Sequence, residues 1–311
     1  MLKVLIVDEM HPLILEMLAT GNFKVRYEPH IAAEAISEAL SQVNILVVRS
    51  KVKVNEQLLR YATKLKAVAR AGAGLDNLDL DYLKSRNIEV FHAAEGNQQA
   101  VAEHTLGLIL NVLNNIRQSD AEIRQHIWQR EENRGVELNA LTVGVIGYGY
   151  MGQRVVELLR CFGCRILVYD KYKQKVAVNG AEWVSLDILK QEADLISLHI
   201  PLTEETRGLI DTTFIDSLGK PVYFINTSRG EISPLAALCW GLKNNKLIKI
   251  GLDVLENEKL NQLTPAQIQE FSYLISNDKV VFTPHVAGWT HQSYQRISEV
   301  IARKLLKAYP L

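Results

Sequence analysis

Short runs of Val, Ile and Leu recur along this chain, each too brief for a helix and each followed by a stretch with helical periodicity. In the first half they fall at residues 4–7, 45–48, 65–69 and 88–91. A second series occupies 143–146, 166–169, 195–198, 222–225, 248–252 and 280–283. An unbroken apolar run predicts a strand buried on both faces, and a helix between successive strands supplies the crossover that parallel pairing requires. The chain is therefore expected to be α/β, with two doubly wound parallel sheets. Between the series lies a long helical stretch at 98–118 and then a polar, charge-dense piece at 129–139, which places the domain boundary near Asn97. The stretch 292–308 carries Ile297, Val300, Ile301 and Leu305 on one stripe and is expected to pack back on the first domain. The polar segment 257–279 reads as a loop with a short helix.

Composition excludes several functions. Lys plus Arg number 35, as do Asp plus Glu, so there is no basic excess to attract nucleic acid or an anionic membrane. Asp8 and Glu9 follow the first apolar run directly, which is wrong for a secretory leader. No window has the uninterrupted apolar length of a membrane span, and the expected location is the cytoplasm. Cys161 and Cys164 form a C-x-x-C without a second pair to complete a zinc site, and read as two small buried hydrophobes. The histidines show no metal-ligand spacing, so no metal is assigned.

The strongest local signal is Gly147-Tyr148-Gly149-Tyr150-Met151-Gly152, which follows the run at 141–146 and opens a helical pattern. In that position the glycines allow a tight turn, close approach of the backbone to a diphosphate, and packing of helix on strand. The helix N-terminus adds free N–H groups and the positive end of its dipole. Asp170 ends the next run, where an acid can bond the adenosine ribose and repel a 2′-phosphate, favouring NAD over NADP. Lys171, Lys173 and Lys175 soften that preference. The alternative is a plain glycine turn beside a surface aspartate.

A nicotinamide cofactor needs a partner site that holds an anionic substrate and moves a proton. Arg229, in Asn226-Thr227-Ser228-Arg229-Gly230, lies just past a strand, where open α/β sheets place ligands. Its guanidinium suits a 2-oxo acid because it can hold a carboxylate through two parallel hydrogen bonds. His285, in Thr283-Pro284-His285, also follows a strand and can exchange a proton near neutrality. Glu258 is a candidate to fix the tautomer of that imidazole. Read singly, Arg229 and Glu258 are solvated surface charges, and His285 is equally a capped loop histidine.

Taken in order, these segments resemble the NAD-dependent D-2-hydroxyacid dehydrogenases over nearly the whole chain. The resemblance is carried by V-G-x-x-G-x-G-x-x-G from Val143, the acid at Asp170 and H-x-P-L-T-x-x-T from His199. It continues through N-x-x-R-G from Asn226, D-V-x-x-x-E from Asp253 and P-H-x-x-G from Pro284. It implies a flavodoxin-like substrate domain, 1–97 plus 288–311, closing on a Rossmann NAD-binding domain, 98–287. It further implies that Arg229 binds and polarises the substrate, His285 is the acid/base and Glu258 orients it. NAD contacts are implied for Gly147, Gly149, Tyr150, Met151, Gly152, Asp170, His199, Pro201, Thr206, Thr227, Arg229, Asp253, His285 and Gly288. Substrate contacts are implied for Arg49, Arg70, Ala73, Gly74 and Asn97 together with Arg229 and His285. Hydride would pass from the nicotinamide to C2 of a 2-oxo acid while His285 protonates the oxygen. The stretch containing Trp128, Arg130, Gly135 and Glu137 resembles one that contributes to a homodimer interface.

Val48-Arg49-Ser50 and Arg70-Ala71-Gly72 look most like the 3-phosphoglycerate dehydrogenases of serine biosynthesis, with Arg49, Arg70 and Lys51 available to a phosphate or equally solvated at strand ends. The chain is expected to lack the serine-binding module of longer relatives. Lys259 stands where the family has Pro, and the loop after Glu258 is longer than in the family. Trp289 reads as a packed interdomain aromatic or a pocket wall. Two alternatives stand beside the phosphoglycerate reading: a glyoxylate/hydroxypyruvate or general 2-oxo-acid reductase, and an NAD-sensing, corepressor-like interaction module.

Overall fold

The computed structural model describes residues 1–173 and 180–310, so Lys175 lies outside the described residues. The chain divides into two compact units, Met1–Gln98 with Trp289–Leu311, and Gln99–Gly288.

The first unit is a five-stranded parallel sheet of β1 (Leu2–Ile6), β2 (Phe23–Tyr27), β3 (Ile45–Val48), β4 (Ala67–Arg70) and β5 (Glu89–His92), in the order β2-β1-β3-β4-β5. Its crossovers hold α1 (Leu13–Leu18), α2 (Ala33–Ala39), α3 (Glu56–Leu59) and α4 (Leu80–Ser85). Side-chain alternation along β1 explains the unbroken apolar run. Val4 and Ile6 pack with Ile14, Leu18, Ile297 and Ile301 on one face, whereas Leu5 and Val7 pack with Ile36, Leu40 and Leu59 on the other.

Two long helices join the sequence of elements here. α5 (Ala94–Asn114) begins four residues before the expected helix and takes in Gly96, where a Cβ would stand 2.8 Å from the Ile297 backbone. It ends before the expected 118, since Asn115 adopts a left-handed backbone (φ 53°) and α6 (Ile116–Arg124) starts afresh. Asn tolerates that conformation better than most residues. The last helix, His291–Ala308, buries Ile297, Ile301 and Leu305 in the first unit.

The second unit is a seven-stranded parallel sheet. It contains β6 (Thr142–Ile146), β7 (Arg165–Tyr169), β8 (Glu182–Trp183), β9 (Leu195–Leu198), β10 (Val222–Asn226), β11 (Leu247–Leu252) and β12 (Val280–Phe282), in the order β12-β11-β10-β9-β6-β7-β8. Its helices are α7 (Tyr150–Leu159), α8 (Leu186–Glu192), α9 (Thr212–Asp216), α10 (Leu235–Lys243) and α11 (Pro265–Ile275); the C-terminal helix is then α12. α11 is longer than the short helix expected in 257–279. Its start is marked by a capping box, with Thr264 and Gln267 bonding each other's backbone and Pro265 in the first turn. Cys161 also departs from expectation. It lies exposed on the turn Arg160–Phe162 after α7, while Cys164 is buried and donates to the Leu159 carbonyl. Among the described residues, no helix is long and apolar enough to cross a membrane.

Candidate active site

The sheet of the second unit reverses its strand order around β6, which pairs with β7 on one side and β9 on the other. The crevice outside the carboxyl ends of such strands is where open α/β sheets take ligands. The glycine loop leaves β6 there. Gly147 has φ 99°, donates its N–H to the Tyr169 carbonyl at 2.7 Å, and leaves 2.4 Å between a hypothetical Cβ and the His199 carbonyl. Gly152, in the first turn of α7, would bring a Cβ within 1.9 Å of the Gly147 carbonyl. Gly149 differs: a Cβ there meets nothing within 4 Å. Two glycines thus serve the turn and the packing. The third opens a backbone face beside the N-terminus of a ten-residue helix, which fits a diphosphate.

Asp170 closes the same loop. Its Oδ2 accepts from the Tyr148 N–H at 2.8 Å, and its Oδ1 from the N–H groups of Tyr172 and Lys173 at 2.9 Å each. Partial burial works to raise the carboxyl pKa, but these backbone donors together with the Lys173 charge outweigh it and hold it below the ordinary carboxylate value. Lys173 donates to the Tyr148 carbonyl at 2.8 Å and Lys171 pairs with Glu205. Both described lysines near Asp170 are thereby drawn to groups of their own chain.

The segment after β9 lies against this loop. The His199 N–H donates to the Ile146 carbonyl at 2.7 Å, and its ring, buried, places Nε2 2.8 Å from the Ser197 hydroxyl. Burial pushes the imidazole down to about 3, so it is neutral. Thr206 folds the turn that follows, donating to the Pro201 carbonyl at 2.7 Å and accepting from the Thr203 N–H at 2.8 Å.

At the end of β10, fully buried Asn226 donates to the Arg229 carbonyl and to Ser233 Oγ, both at 2.9 Å, and accepts from the Ser228 N–H. The Ser228 hydroxyl anchors to the Leu198 carbonyl at 2.6 Å, and Thr227 meets Thr105 at 2.9 Å. This scaffold presents the half-buried Arg229, whose Nη1 donates to the Ser228 carbonyl. Gly230 must follow it, because a Cβ there would lie 1.9 Å from the Leu255 carbonyl carbon.

His285 and Glu258 meet past β12 and β11. His285 Nδ1 lies 2.7 Å from Glu258 Oε1, with both side chains about half exposed. A carboxylate only accepts, so Nδ1 carries the hydrogen and Nε2 is left for other chemistry. The backbone of His285 is left-handed, φ 55°. Asp253, buried, gathers the surrounding segment: its carboxylate accepts from the Thr283 hydroxyl and from the N–H groups of Val286 and Ala287. Lys259 does not disturb Glu258, since Asn257 spans this turn, accepting from the Lys259 N–H at 3.0 Å and donating to the Gln262 carbonyl. Gly288 closes the segment.

The remaining expected residues lie in the first unit. The Arg49 guanidinium sits 4.1 Å from the ring centre of Trp289 and 5.4 Å from that of Tyr294. Burial lowers its pKa against the opposing pull of Tyr294, Asp8 and Glu9. Trp289 is 60% exposed, so it is not a packed aromatic as expected: it stacks on Arg49 and meets the Tyr294 ring at 6.1 Å, and most of its surface is open. Arg70 folds over Gly72, whose missing Cβ would collide with its Nη1, and Ala73 and Gly74 follow. Asn97 Oδ1 is buried without a hydrogen-bond partner among the described residues. Lys51 is turned to the carbonyls of Val7 and Pro29, not outward to an anion.

Sequence reasoning did not find His104, which contacts Thr283 at 2.9 Å. A pairing of residues so far apart in the chain has no local signal.

The profile described as "D-isomer specific 2-hydroxyacid dehydrogenase, NAD binding domain" matches residues 106–287. The hydroxypyruvate reductase of Thermotoga maritima is 34% identical over 278 residues, 89% of this chain and 89% of that protein. The D-3-phosphoglycerate dehydrogenase of Methanocaldococcus jannaschii is 33% identical over 310 residues, 99% of this chain but 57% of that protein, so the chain spans little more than half of that relative. Among solved structures, the D-lactate dehydrogenase of Aquifex aeolicus in complex with NAD and lactic acid superposes with a TM-score of 0.83 at 30% identity, covering 99% of this chain and 95% of that one.

Proposed function

The chain belongs to the D-isomer specific 2-hydroxyacid dehydrogenases, and on that premise we propose that it interconverts a D-2-hydroxy acid and its 2-oxo acid with Arg229, His285 and Glu258 as the reacting set. The observation that carries the reading is the 2.7 Å contact between His285 Nδ1 and Glu258 Oε1. When bound, NADH supplies the hydride, held by the Gly147–Gly152 loop and Asp170. Arg229 holds the carboxylate and polarises the C2 carbonyl. His285, protonated on both nitrogens, gives its Nε2 proton to the C2 oxygen as charge develops there, and Glu258 keeps the ring aimed and stabilises its charged form. Oxidation runs the same steps in reverse.

The substrate pair proposed is D-3-phosphoglycerate and 3-phosphohydroxypyruvate, in the cytoplasmic route to serine. It is supported by Arg49 and Arg70 at the strand ends of the first unit and by the relatives of that name. Ala73, Gly74 and Asn97 are the proposed remaining substrate groups. A second reading, hydroxypyruvate reduction, is favoured by the Thermotoga relative, whose length the chain covers to 89%. We also propose a homodimer through the outer face of α6 and the segment after it, where Ile116, Ile123, Ile127 and Trp128 are exposed.

The test is NADH consumption against 3-phosphohydroxypyruvate, hydroxypyruvate, glyoxylate and pyruvate, with His285→Ala and Glu258→Gln alongside. The phosphorylated acid should turn over best, and His285→Ala should lose about 10²- to 10⁴-fold. A preference for hydroxypyruvate selects the second reading. An unaffected His285→Ala variant removes the proposed acid/base.

A further inference from the structure

Half-buried His104 and Thr283 meet buried Asp253 in the second unit, a set that the steps above do not use. His104 stands on α5, Thr283 directly after β12 and Asp253 directly after β11. Thr283 Oγ1 lies 2.6 Å from Asp253 Oδ1. Facing a carboxylate, the hydroxyl donates, which leaves it only lone pairs for His104 Nε2 at 2.9 Å. The imidazole is therefore the donor, and its hydrogen sits on Nε2. Every bond in the chain runs one way, from His104 to Thr283 to Asp253. The same Nε2 lies 3.4 Å from Asp253 Oδ1, so the imidazole also faces the carboxylate directly.

Asp253 passes this on to the reacting segment. Its Oδ1 accepts the Val286 N–H and its Oδ2 the Ala287 N–H, each at 2.9 Å, while its backbone carbonyl accepts the His285 N–H at 2.7 Å. Three consecutive N–H groups thus end on one residue, and the first belongs to a histidine at φ 55°. A side chain other than glycine avoids that conformation unless its surroundings impose it. A buried carboxylate keeps its place only while its lone pairs are filled by donors.

We propose that His104 is a positioning residue: through Thr283 and Asp253 it fixes the left-handed backbone that aims His285. The proposal rests on the reading of His285 as acid/base. A misplacement of this kind lowers turnover.

The test compares His104→Leu, His104→Gln and Thr283→Val in the full chain. His104→Leu and Thr283→Val should each lower kcat for the preferred 2-oxo acid about tenfold, with NADH Kd unchanged. His104→Gln should regain most of kcat, because its amide N–H can still donate to the Thr283 hydroxyl. Wild-type kcat in both His104→Leu and Thr283→Val overturns the relay. So does a parallel loss of NADH affinity that His104→Gln does not rescue. A second readout needs no turnover: ¹⁵N-edited NMR of the imidazoles at mildly alkaline pH should show His104 protonated at Nε2, and a hydrogen on Nδ1 overturns the proposal. His285→Ala separates the two failures. If that variant is inactive while His104→Leu is intact, only the relay falls; if His285→Ala is active, the acid/base reading falls.

Discussion

The three glycines of the cofactor loop should separate into structural and functional classes when each gains a methyl group. Gly149 caps α7 at φ −75° and ψ −160°, an extended conformation that alanine adopts freely, and a Cβ there meets nothing within 4 Å. Alanine is a poorer N-cap than glycine by about 0.5 kcal/mol, while a stiffer unfolded chain returns about 0.4–1 kcal/mol. Gly149→Ala should therefore melt within about 2 °C of wild type. Gly152→Ala places its Cβ 1.9 Å from the Gly147 carbonyl oxygen, a backbone atom that cannot rotate away. Overpacking of that kind costs about 1–3 kcal/mol, or roughly 2–12 °C in a unit of this size. NADH binding should show the opposite ranking of causes. Gly149→Ala, correctly folded, should lose at least about tenfold in Kd, equal to about 1.4 kcal/mol, because the methyl group fills the face a diphosphate must approach. Scanning fluorimetry and NADH fluorescence titration measure the two quantities. A Gly149→Ala variant that binds NADH like wild type, or a Gly152→Ala variant that melts like it, refutes the division.

Three other outcomes are expected. His199, held near 3 by burial against 6.5 in the open chain, leaves the unfolded state binding the extra proton between those values. Stability is then full above about 6.5 and falls with acid by up to roughly 1.4 kcal/mol per pH unit; melting scans of His199→Gln should show a shallower slope from pH 7 to 5, and equal slopes refute it. Asp170 has its carboxyl pKa lowered, so its contribution is present above the unfolded carboxylate pKa and vanishes as pH falls through the folded value. Asp170→Asn should be less stable by about 1–2 kcal/mol near neutrality, allowing for its partial exposure, and the gap should close in strong acid. Trp289→Ala removes the ring under Arg49; KM for 3-phosphohydroxypyruvate should rise roughly two- to fivefold and that for glyoxylate should hold, whereas equal changes in both would remove Arg49 from phosphate recognition.

What the bare chain discloses tracks how local the physics is. The strands β1, β3, β6, β9 and β10 were legible because burial on both faces makes each a continuous apolar run. β2 escaped because it is an edge strand that buries only Phe23 fully, and β8 because it is two residues long. The break at Asn115 and the capping box of α11 were written locally, in an asparagine and in Thr264-Pro265 with Gln267, but both signals are short beside the apolar periodicity that surrounds them. The site divides on the same line. His285, Glu258 and Arg229 each follow a strand end, so a rule about where parallel sheets place ligands suffices to gather them before any distance is known. Their supports obey no such rule. His104 reaches Thr283 across 179 residues, and Trp289 reaches Arg49 from the far end of the chain, because the sheet order brings them together. The groups proposed to touch substrate are thus legible from strand position and chemistry, whereas those that set their angle are fixed only by the assembled fold, and there the His104 relay can be tested apart from the chemistry it serves.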